Sequence, residues 1–251
     1  MKFGVLVFPG SNCDHDMVYV LRDKLGHEVV ELWHKDTDLN GVDAIAIPGG
    51  FSAGDEPDGS GKFIAAVFRN ERLKDAIMDL LFNRDGLMLG ICNGFQALVK
   101  LGLLPYGEIR DLDEESPTLT FNHIGRHISH LGSIKVCTNN SPWLQELDKE
   151  TTYKVALSHG EGRFVANDKW LEKLRQNHQI GSVYVNEQGQ FETETFKNPN
   201  GAYGSIESIT ALDGRILGKM GHSERYREGL YKNVEGEKNQ NIFKSGLLYF
   251  R

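Results

Sequence analysis

Short apolar runs alternate with segments of helical periodicity in the first hundred residues, and this order constrains the fold more than any other feature. The apolar runs are FGVLVF, EVVELW, DAIAIPGG and GLMLGIC, and a helical stripe of leucine and isoleucine at 73, 77, 80 and 81 precedes the last of them. Strands that are apolar throughout are typical of a parallel sheet covered by helices. We therefore predict an α/β fold with an open, mostly parallel, flavodoxin-like sheet and helices on both faces.

The regular alternation of apolar runs and helical segments ends after Pro105. SIKVCTN and TYKVALSH have the composition of strands, and SIESITAL and RILGKMGH flank the turn pair Asp213-Gly214, which predicts a hairpin. We expect SIKVCTN and TYKVALSH to belong to a small antiparallel addition. A helix is predicted in NDKWLEKLRQNHQ, capped by Asn167 or Asp168.

No stretch of the chain has the composition of an interdomain linker, so we expect residues 1–251 to form a single domain. The C-terminal SGLLYF is interpreted either as a segment that docks on a partner or as one more edge strand. The edge strand is at least as well supported by the sequence.

Composition excludes several classes of function. The chain has 28 basic and 35 acidic residues and a net charge of −7, which makes nucleic acid an improbable partner. No apolar stretch approaches the ~18 residues of a membrane-spanning helix. The three cysteines, Cys13, Cys92 and Cys137, form neither a disulfide scaffold nor a thiolate metal site, which suggests a reducing compartment. We expect a cytoplasmic protein that does not bind membranes.

One cysteine lies in a sequence typical of a nucleophile. Gly90-Ile91-Cys92-Asn93-Gly94 joins a predicted strand to a predicted helix, the G-x-C-x-G spacing of a nucleophile elbow. We expect the helix start to lower the pKa of the Cys92 thiol and to offer N–H groups to an oxyanion. Cys137 is assigned to the core, and Cys13, in the first strand-to-helix loop, lines the pocket at most.

A thiolate nucleophile needs a proton carrier, usually a histidine oriented by a third group. Two His-x-Glu sequences are candidates, His159-Gly160-Glu161 and His222-Ser223-Glu224. In an extended segment, residues two apart point to the same side, so either carboxylate could reach its imidazole. The spacing alone does not choose between them, and a surface histidine beside a solvated glutamate is the simpler interpretation of each.

Metal and phosphate sites are less well supported. His123, His127 and His130 have spacings that occur in zinc sites, but Gly125 and Gly132 argue against the helix that such spacings need. The glycine-rich residues 55–63 do not fit the Walker spacing. We predict no metal site and no ATP site on this chain.

Five motifs, taken in order, identify a family. FPGSNCDHD, IPGGFSAGD, GICNGFQ, SHGEGRF and GHSERY closely resemble the glutaminase part of phosphoribosylformylglycinamidine synthases, which are class I, triad-type glutamine amidotransferases. The resemblance extends from the first predicted strand to the end of the chain. Gly221-His222-Ser223-Glu224 and the sequence after Ala53 differ from the separate-subunit enzymes and resemble the version fused to a single-chain synthase, so the chain could be either a subunit or an excised domain.

The resemblance implies a role for each matched residue. It implies that Cys92 is the nucleophile and that His222 and Glu224 complete the triad. It further implies an oxyanion hole formed by the backbone N–H of Asn93 with that of Gly50 or Phe51, and a glutamine site that includes Gln96, Ser158 and His159.

The implied function is hydrolysis of glutamine through a cysteine thioester, with ammonia delivered to a synthetase subunit or domain. That partner would use ATP and Mg²⁺ to convert formylglycinamide ribonucleotide to its amidine, and this chain would bind no cofactor. Two alternatives stay open on the residues alone: a cysteine hydrolase or peptidase of a related fold that acts without a synthetase, and a non-catalytic interaction module.

Overall fold

A computed structural model describes residues 1–54, 60–191 and 198–250. Residues 55–59 of the glycine-rich stretch considered above as a phosphate loop lie outside the described residues. Within the described ranges, no helix is both long and apolar enough to cross a membrane.

The strands of the described residues are β1 Lys2–Val7, β2 Glu28–Trp33, β3 Ala44–Ile47, β4 Leu87–Ile91, β5 Thr118–Thr120, β6 Ile128–Val136, β7 Thr152–His159, β8 Arg163–Val165, β9 Ile180–Tyr184, β10 Ile206–Thr210 and β11 Ile216–Lys219. Nine of them form one sheet in the order β2-β1-β3-β4-β11-β10-β9-β6-β7, and β5 and β8 pair separately.

The first part of the sheet is parallel, as the apolar runs predict. Strands β2, β1, β3, β4 and β11 pair in parallel, and every residue of β3 and β4 is buried. β2 lies at the edge, where only Leu32 is fully buried. Because β4 is central and parallel to both neighbours, its carboxyl end opens into the crevice where α/β folds place their sites.

The rest of the sheet is antiparallel and continues from β11 through β10, β9, β6 and β7. The predicted antiparallel addition is thus part of the main sheet. The hairpin predicted at Asp213-Gly214 joins β10 to β11. Its turn is wider than two residues, because the Ala211 N–H donates to the Ile216 carbonyl at 3.0 Å.

The α-helices are α1 Asp14–Val18, α2 Lys62–Phe68, α3 Glu71–Phe82, α4 Asn93–Leu101, α5 Leu103–Tyr106, α6 Asp168–Gln176 and α7 Ile242–Leu248; a π-helical turn spans Tyr19–Lys24, and 3-10 turns span Ser52–Gly54, Tyr203–Ser205 and Ser223–Arg225. The predicted stripe of α3 is buried. Asn167 is the cap of α6, and its side chain accepts the Trp170 N–H at 2.9 Å.

Two sequence-based interpretations are wrong. The C-terminal segment forms α7 instead of an edge strand, because Phe243 and Leu247 are buried and Ser245 donates to the Pro142 carbonyl at 2.7 Å. Cys137 follows the end of β6 and is exposed, so it does not belong to the core.

Candidate active site

Cys92 lies at the sharp turn between β4 and α4, in the backbone geometry of a nucleophile elbow. Its φ of 52° is in the left-handed region, which non-glycine residues seldom adopt. The turn brings the chain so close together that a Cβ on Gly90 would lie 2.7 Å from the Gly94 carbonyl carbon. Gly90 is therefore needed for the turn that presents the thiol, and Gly94 is needed because a Cβ there would lie 2.9 Å from the Ile47 carbonyl carbon of β3.

Burial dominates the electrostatics of Cys92. Burial is the largest of the effects that raise the pKa of the thiol to about 12; the neighbouring Cys13 and Glu224 also raise it, while Arg225 and the Asn93 N–H lower it. The thiol donates a long hydrogen bond of 3.6 Å to the Ser158 carbonyl. The Asn93 N–H at the helix start lowers this pKa, as expected, but loss of solvation outweighs that effect, so the pKa of the thiol lies above its ordinary value instead of below it.

His222 and Glu224 form a buried pair beside the elbow. His222 Nδ1 and Glu224 Oε1 are 2.6 Å apart, and both side chains are almost inaccessible to solvent. Burial opposes the ionised form of Glu224, but the adjacent His222 outweighs it and the pKa of the carboxyl stays below its ordinary value. With Nδ1 engaged, Nε2 is left without a hydrogen-bond partner, the arrangement that suits a general base.

The geometry of this pair differs from the extended one considered for the sequence. Ser223–Arg225 is a 3-10 turn, so the turn itself brings the carboxylate of Glu224 back to the imidazole of His222. The His222 N–H donates to the Ala156 carbonyl of β7 at 2.8 Å, which ties the turn to the antiparallel part of the sheet. The candidate triad thus follows two neighbouring parallel strands, β4 and β11, and the antiparallel strand β7 fixes the turn that carries His222.

A pocket with a volume of about 40 Å³ joins these groups. It is lined by Asn12, Gly50, Phe51, Ser60, Cys92, Gln96, Ser158, His159, Gly160, His222 and Arg225. Of the residues that the resemblance implies, Asn93 and Glu224 do not line it; Glu224 lies behind His222, and Asn93 begins α4.

The two candidates for the second oxyanion donor are not equivalent. The Phe51 N–H donates to the Gly10 carbonyl at 3.0 Å, so it is committed to the backbone. Gly50 forms a bridge with Ser11 in which the neighbouring residues, not Gly50 itself, make the hydrogen bonds. Between these two residues the geometry favours Gly50.

His159 occupies the opposite wall of the pocket in a different environment. Its Nδ1 pairs with Asn122 Oδ1 at 3.0 Å, and its Nε2 has no hydrogen-bond partner. Burial, together with nearby histidines, lowers its pKa to about 3, so the ring is neutral. Glu161 does not reach this ring; its Oε2 accepts the Ser60 N–H at 3.2 Å.

Gln96 and Ser158 complete the wall that the resemblance assigns to glutamine. Gln96 Nε2 donates to the Glu161 carbonyl, and Gln96 Oε1 accepts from Asn93 Nδ2 at 3.2 Å. Ser158 Oγ pairs with His127 Nε2 at 3.2 Å. These contacts fix the side chains around the pocket before any substrate enters.

Sequence reasoning missed two parts of the site. Asn122 is buried and holds the His159 loop, donating from Nδ2 to the His159 carbonyl at 2.8 Å. Arg225 lines the pocket and donates from Nη2 to Cys13 Sγ at 3.0 Å, while that sulfur lies 3.8 Å from His222 Nδ1. Cys13 therefore lies beside the imidazole of His222. In the sequence, the only indication of this was the position of Cys13 in a loop at the carboxyl edge of the predicted sheet.

Cys13, His222 and Glu224 are the one group in residues 1–54, 60–191 and 198–250 whose potential metal-ligand atoms all lie close together, within 4.8 Å. The guanidinium of Arg225 adjoins the thiol, and its positive charge opposes a cation there. His123, His127 and His130 do not form such a group. The absence of a metal site stays a prediction.

Comparison with known proteins identifies the family. The sequence profile of the CobB/CobQ-like glutamine amidotransferase domain matches residues 1–250. The chain belongs to this family. This membership, and the relatives below, confirm the resemblance that the five motifs indicate.

The relatives in this family match over nearly the whole chain. The PurQ subunit of phosphoribosylformylglycinamidine synthase from Synechocystis sp. is 38% identical over 94% of this chain and 96% of that protein. Its counterpart from Moorella thermoacetica is also 38% identical, over 94% of this chain and 92% of the relative.

Solved structures agree. The structure of PurLQS from Thermotoga maritima matches with a TM-score of 0.75 and 28% identity, covering 100% of this chain and 99% of that one. The glutaminase domain of Trypanosoma brucei CTPS, at 13% identity and a TM-score of 0.54, covers 99% of this chain and 94% of its own, and shares the fold. The predicted fold class is therefore confirmed for this amidotransferase.

Proposed function

We propose that this chain is the glutaminase component of a phosphoribosylformylglycinamidine synthase and hydrolyses glutamine to glutamate and ammonia. The observation that carries the proposal is the pocket where Cys92, at a strained elbow, and His222, paired with Glu224 at 2.6 Å, face the same space. The relatives that match over nearly the full chain bear the name of that synthase.

The first half of the reaction forms a thioester. The Cys92 thiol gives its proton to His222 Nε2, and the sulfur attacks the side-chain amide carbon of glutamine. The oxyanion of the tetrahedral intermediate is held by the N–H groups of Asn93 and Gly50, each such donor contributing roughly 10²–10³ in rate. His222 then protonates the departing nitrogen, the C–N bond breaks, and ammonia leaves.

The second half consumes water. His222, oriented by Glu224, removes a proton from a water molecule that attacks the γ-glutamyl thioester carbon. The C–S bond breaks, glutamate leaves, and the proton returns to the Cys92 sulfur. The sum is glutamine plus water giving glutamate plus ammonia, with the enzyme unchanged.

Burial of Cys92 suggests that the chain alone hydrolyses glutamine slowly. With a pKa of about 12, the thiol is protonated at neutral pH, and attack requires its proton to reach His222. A substrate or partner that reshapes the pocket would facilitate that transfer. Low basal turnover also avoids loss of glutamine when no acceptor is ready for the ammonia.

The partner in this proposal is a synthetase subunit or domain that supplies the ATP chemistry. Ammonia from this site would pass to it, and ATP and Mg²⁺ would bind there, while this chain holds glutamine alone. The proposal treats residues 1–251 as a single amidotransferase domain. It also places the protein in the cytoplasm, which the three free cysteines support.

The test combines labelling with turnover. The protein is incubated with a glutamine-mimicking diazo-ketone, and the adduct is located by mass spectrometry; Cys13→Ser serves as the matched control. We expect the adduct on Cys92 in both the native chain and the control, and glutamate release that rises when the synthetase partner is added. A label on Cys13, turnover indifferent to the partner, or hydrolysis of other amides but not of glutamine would contradict the proposal.

A further inference from the structure

A charged pair is buried in the sheet directly behind the candidate triad. Lys219 ends β11 and Glu207 lies on the adjacent β10, and Lys219 Nζ is 3.2 Å from Glu207 Oε1. The side chains are 2% and 0% exposed, respectively. Neither residue lines the pocket, and the hydrolysis described above does not use them.

Both side chains bond to the backbone of one residue, Gly221, at the N–H of one peptide group and the carbonyl of the next. Lys219 Nζ donates to the Gly221 carbonyl at 2.6 Å, and the Gly221 N–H donates to Glu207 Oε1 at 2.6 Å. A side chain at 221 would collide with this arrangement, since its Cβ would lie 2.9 Å from Glu207 Oε1 and 2.6 Å from Val155 Cγ2. The pair therefore holds the residue immediately before His222 from both its N–H and its carbonyl.

Lys219 also contacts the nucleophile's backbone. Its carbonyl accepts the Cys92 N–H at 2.8 Å, so a single residue is bonded to Cys92 by its main chain and to the residue before His222 by its side chain. Glu207 is itself fixed from the other side, because Ser182 Oγ donates to its Oε2 at 2.5 Å. The contacts form a continuous connection between the elbow and the turn that carries the imidazole.

Stability alone gives little reason for such a pair. Removing two charges from water is costly, and a buried ion pair is often no better for stability than apolar residues of similar volume. Charge-assisted hydrogen bonds, in contrast, are short and directional. What this pair supplies beyond an apolar core is a fixed position for Gly221 relative to Cys92.

We propose that Lys219 and Glu207 are positioning residues that set the placement of His222 relative to Cys92. They do so through their hydrogen bonds to the carbonyl and the N–H of Gly221, and we call these two side chains the clamp. The inference rests on the proposed function for its catalytic consequence, but not for the geometry. Loss of the clamp leaves the glutamine pocket intact, because neither side chain reaches it, and allows the His222 imidazole to shift.

The test is the double variant Lys219→Met, Glu207→Gln, which removes both charges with little change of volume and keeps an acceptor for the Gly221 N–H. We expect kcat for glutamine, measured with the synthetase partner, to fall roughly tenfold to a hundredfold, since small displacements of catalytic groups cost rates of that order. KM should stay within about twofold, because neither side chain lines the pocket, whereas the thermal midpoint should decrease slightly, because the Gly221 carbonyl loses its donor.

The matched control makes the same two substitutions in an ion pair away from the pocket, Lys154→Met with Glu187→Gln, where the native side chains are 2.6 Å apart. We expect its kcat to be unchanged. A folded Lys219/Glu207 variant with native kcat, or a KM that rises while kcat stays constant, overturns the inference.

A second measurement separates this inference from the proposed function. The rate at which iodoacetamide alkylates Cys92, followed by mass spectrometry at neutral pH, depends on proton transfer to His222 and does not require glutaminase activity. We expect it to be slower by at least about threefold in the double variant and native in the control. Slower alkylation in a chain that never hydrolyses glutamine would leave the clamp supported and the proposed function rejected; native alkylation overturns the clamp.

Should the double variant fail to fold, Ser182→Ala replaces it: it removes the hydroxyl that donates to the outer oxygen of Glu207, together with that hydroxyl's contact to Ser208 Oγ at 2.5 Å, and it keeps both charges. A decrease in kcat of about twofold to fivefold at constant KM then supports the clamp, and native kcat overturns it.

Discussion

Two segments of this chain share the sequence His-x-Glu and line the same pocket, yet they differ in nearly every physical respect. At His222 the carboxylate of Glu224 lies 2.6 Å from the ring, brought there by a 3-10 turn. At His159, the end of β7, the ring contacts Asn122 instead, and Glu161 accepts a backbone N–H from Ser60. Spacing in the sequence therefore does not determine pairing in space.

The difference has an electrostatic consequence. His222 has a charged partner that can stabilise an imidazolium during proton transfer, whereas His159 has an amide partner and a pKa near 3, so it cannot carry a proton at neutral pH. One site is suited to acid-base chemistry and the other to holding a wall of the pocket. Substitutions of the two histidines and of their hydrogen-bond partners should therefore have different effects on kcat and KM.

The largest effect is expected from the two histidines themselves. His222→Asn removes the proton carrier and should reduce kcat at least about 10³-fold, while His159→Asn, which keeps a polar group of similar size, should change kcat less than tenfold. Glutamate release with the synthetase partner present measures both. Equal losses of kcat in the two variants would contradict the assignment of proton transfer to His222 alone.

The two glutamates provide a finer comparison. Glu224→Gln keeps the size of the side chain but removes the charge that supports His222, and we expect kcat to fall roughly 10²-fold or more. Glu161→Gln keeps an acceptor for the Ser60 N–H, so its kcat should stay within about threefold of native. The same glutamate assay applies, and a larger loss from Glu161→Gln than from Glu224→Gln would reverse our assignment.

The sequence predicts the structure best where a local conformation or a buried position restricts which residue types are possible. Apolar runs predict β1, β3 and β4 because strands buried in a parallel sheet have no exposed face, and the glycines around Cys92 predict the elbow because only small residues fit there. Both features are local, so no knowledge of distant contacts is needed.

The remaining features depend on contacts between distant segments. α7 is a helix because it packs on Trp143, and Cys13 adjoins His222 across 209 positions. The raised pKa of Cys92 cannot be predicted from the local sequence for the same reason. Burial depends on the whole fold, and its effect on this pKa exceeds the lowering by the N–H group at the start of α4. The choice between the two His-x-Glu sequences likewise needed family resemblance or coordinates.

Stability against pH tests the neutral state of His159. Its pKa is about 3 in the folded chain and 6.5 in a model peptide, so the unfolded chain binds the extra proton and stability is lost as the pH falls below about 6.5. Between pH 7 and pH 5 this group should cost about 2 kcal/mol of unfolding free energy. Denaturant titrations at both pH values measure it.

His159→Asn is the control for that measurement, because other groups also titrate in this range. The native chain should lose about 2 kcal/mol more than the variant between the two pH values. An identical loss in both would show that His159 is protonated in the folded chain at pH 5, and the contrast with His222 would have to be explained by something other than burial.

The smallest effect on activity is expected from substitution of Asn122. This substitution tests whether the His159 loop only shapes the glutamine pocket or also contributes to the chemical step. Its Oδ1 accepts the Gly162 N–H at 3.1 Å and contacts His159, while its Nδ2 donates to the His159 carbonyl. Asn122→Ala removes these contacts and should raise KM for glutamine about fivefold with little change in kcat, because the triad is held by other elements. A fall in kcat at constant KM would mean that the His159 loop also positions the reacting groups, and that the two sites are less separate in function than their hydrogen bonds indicate.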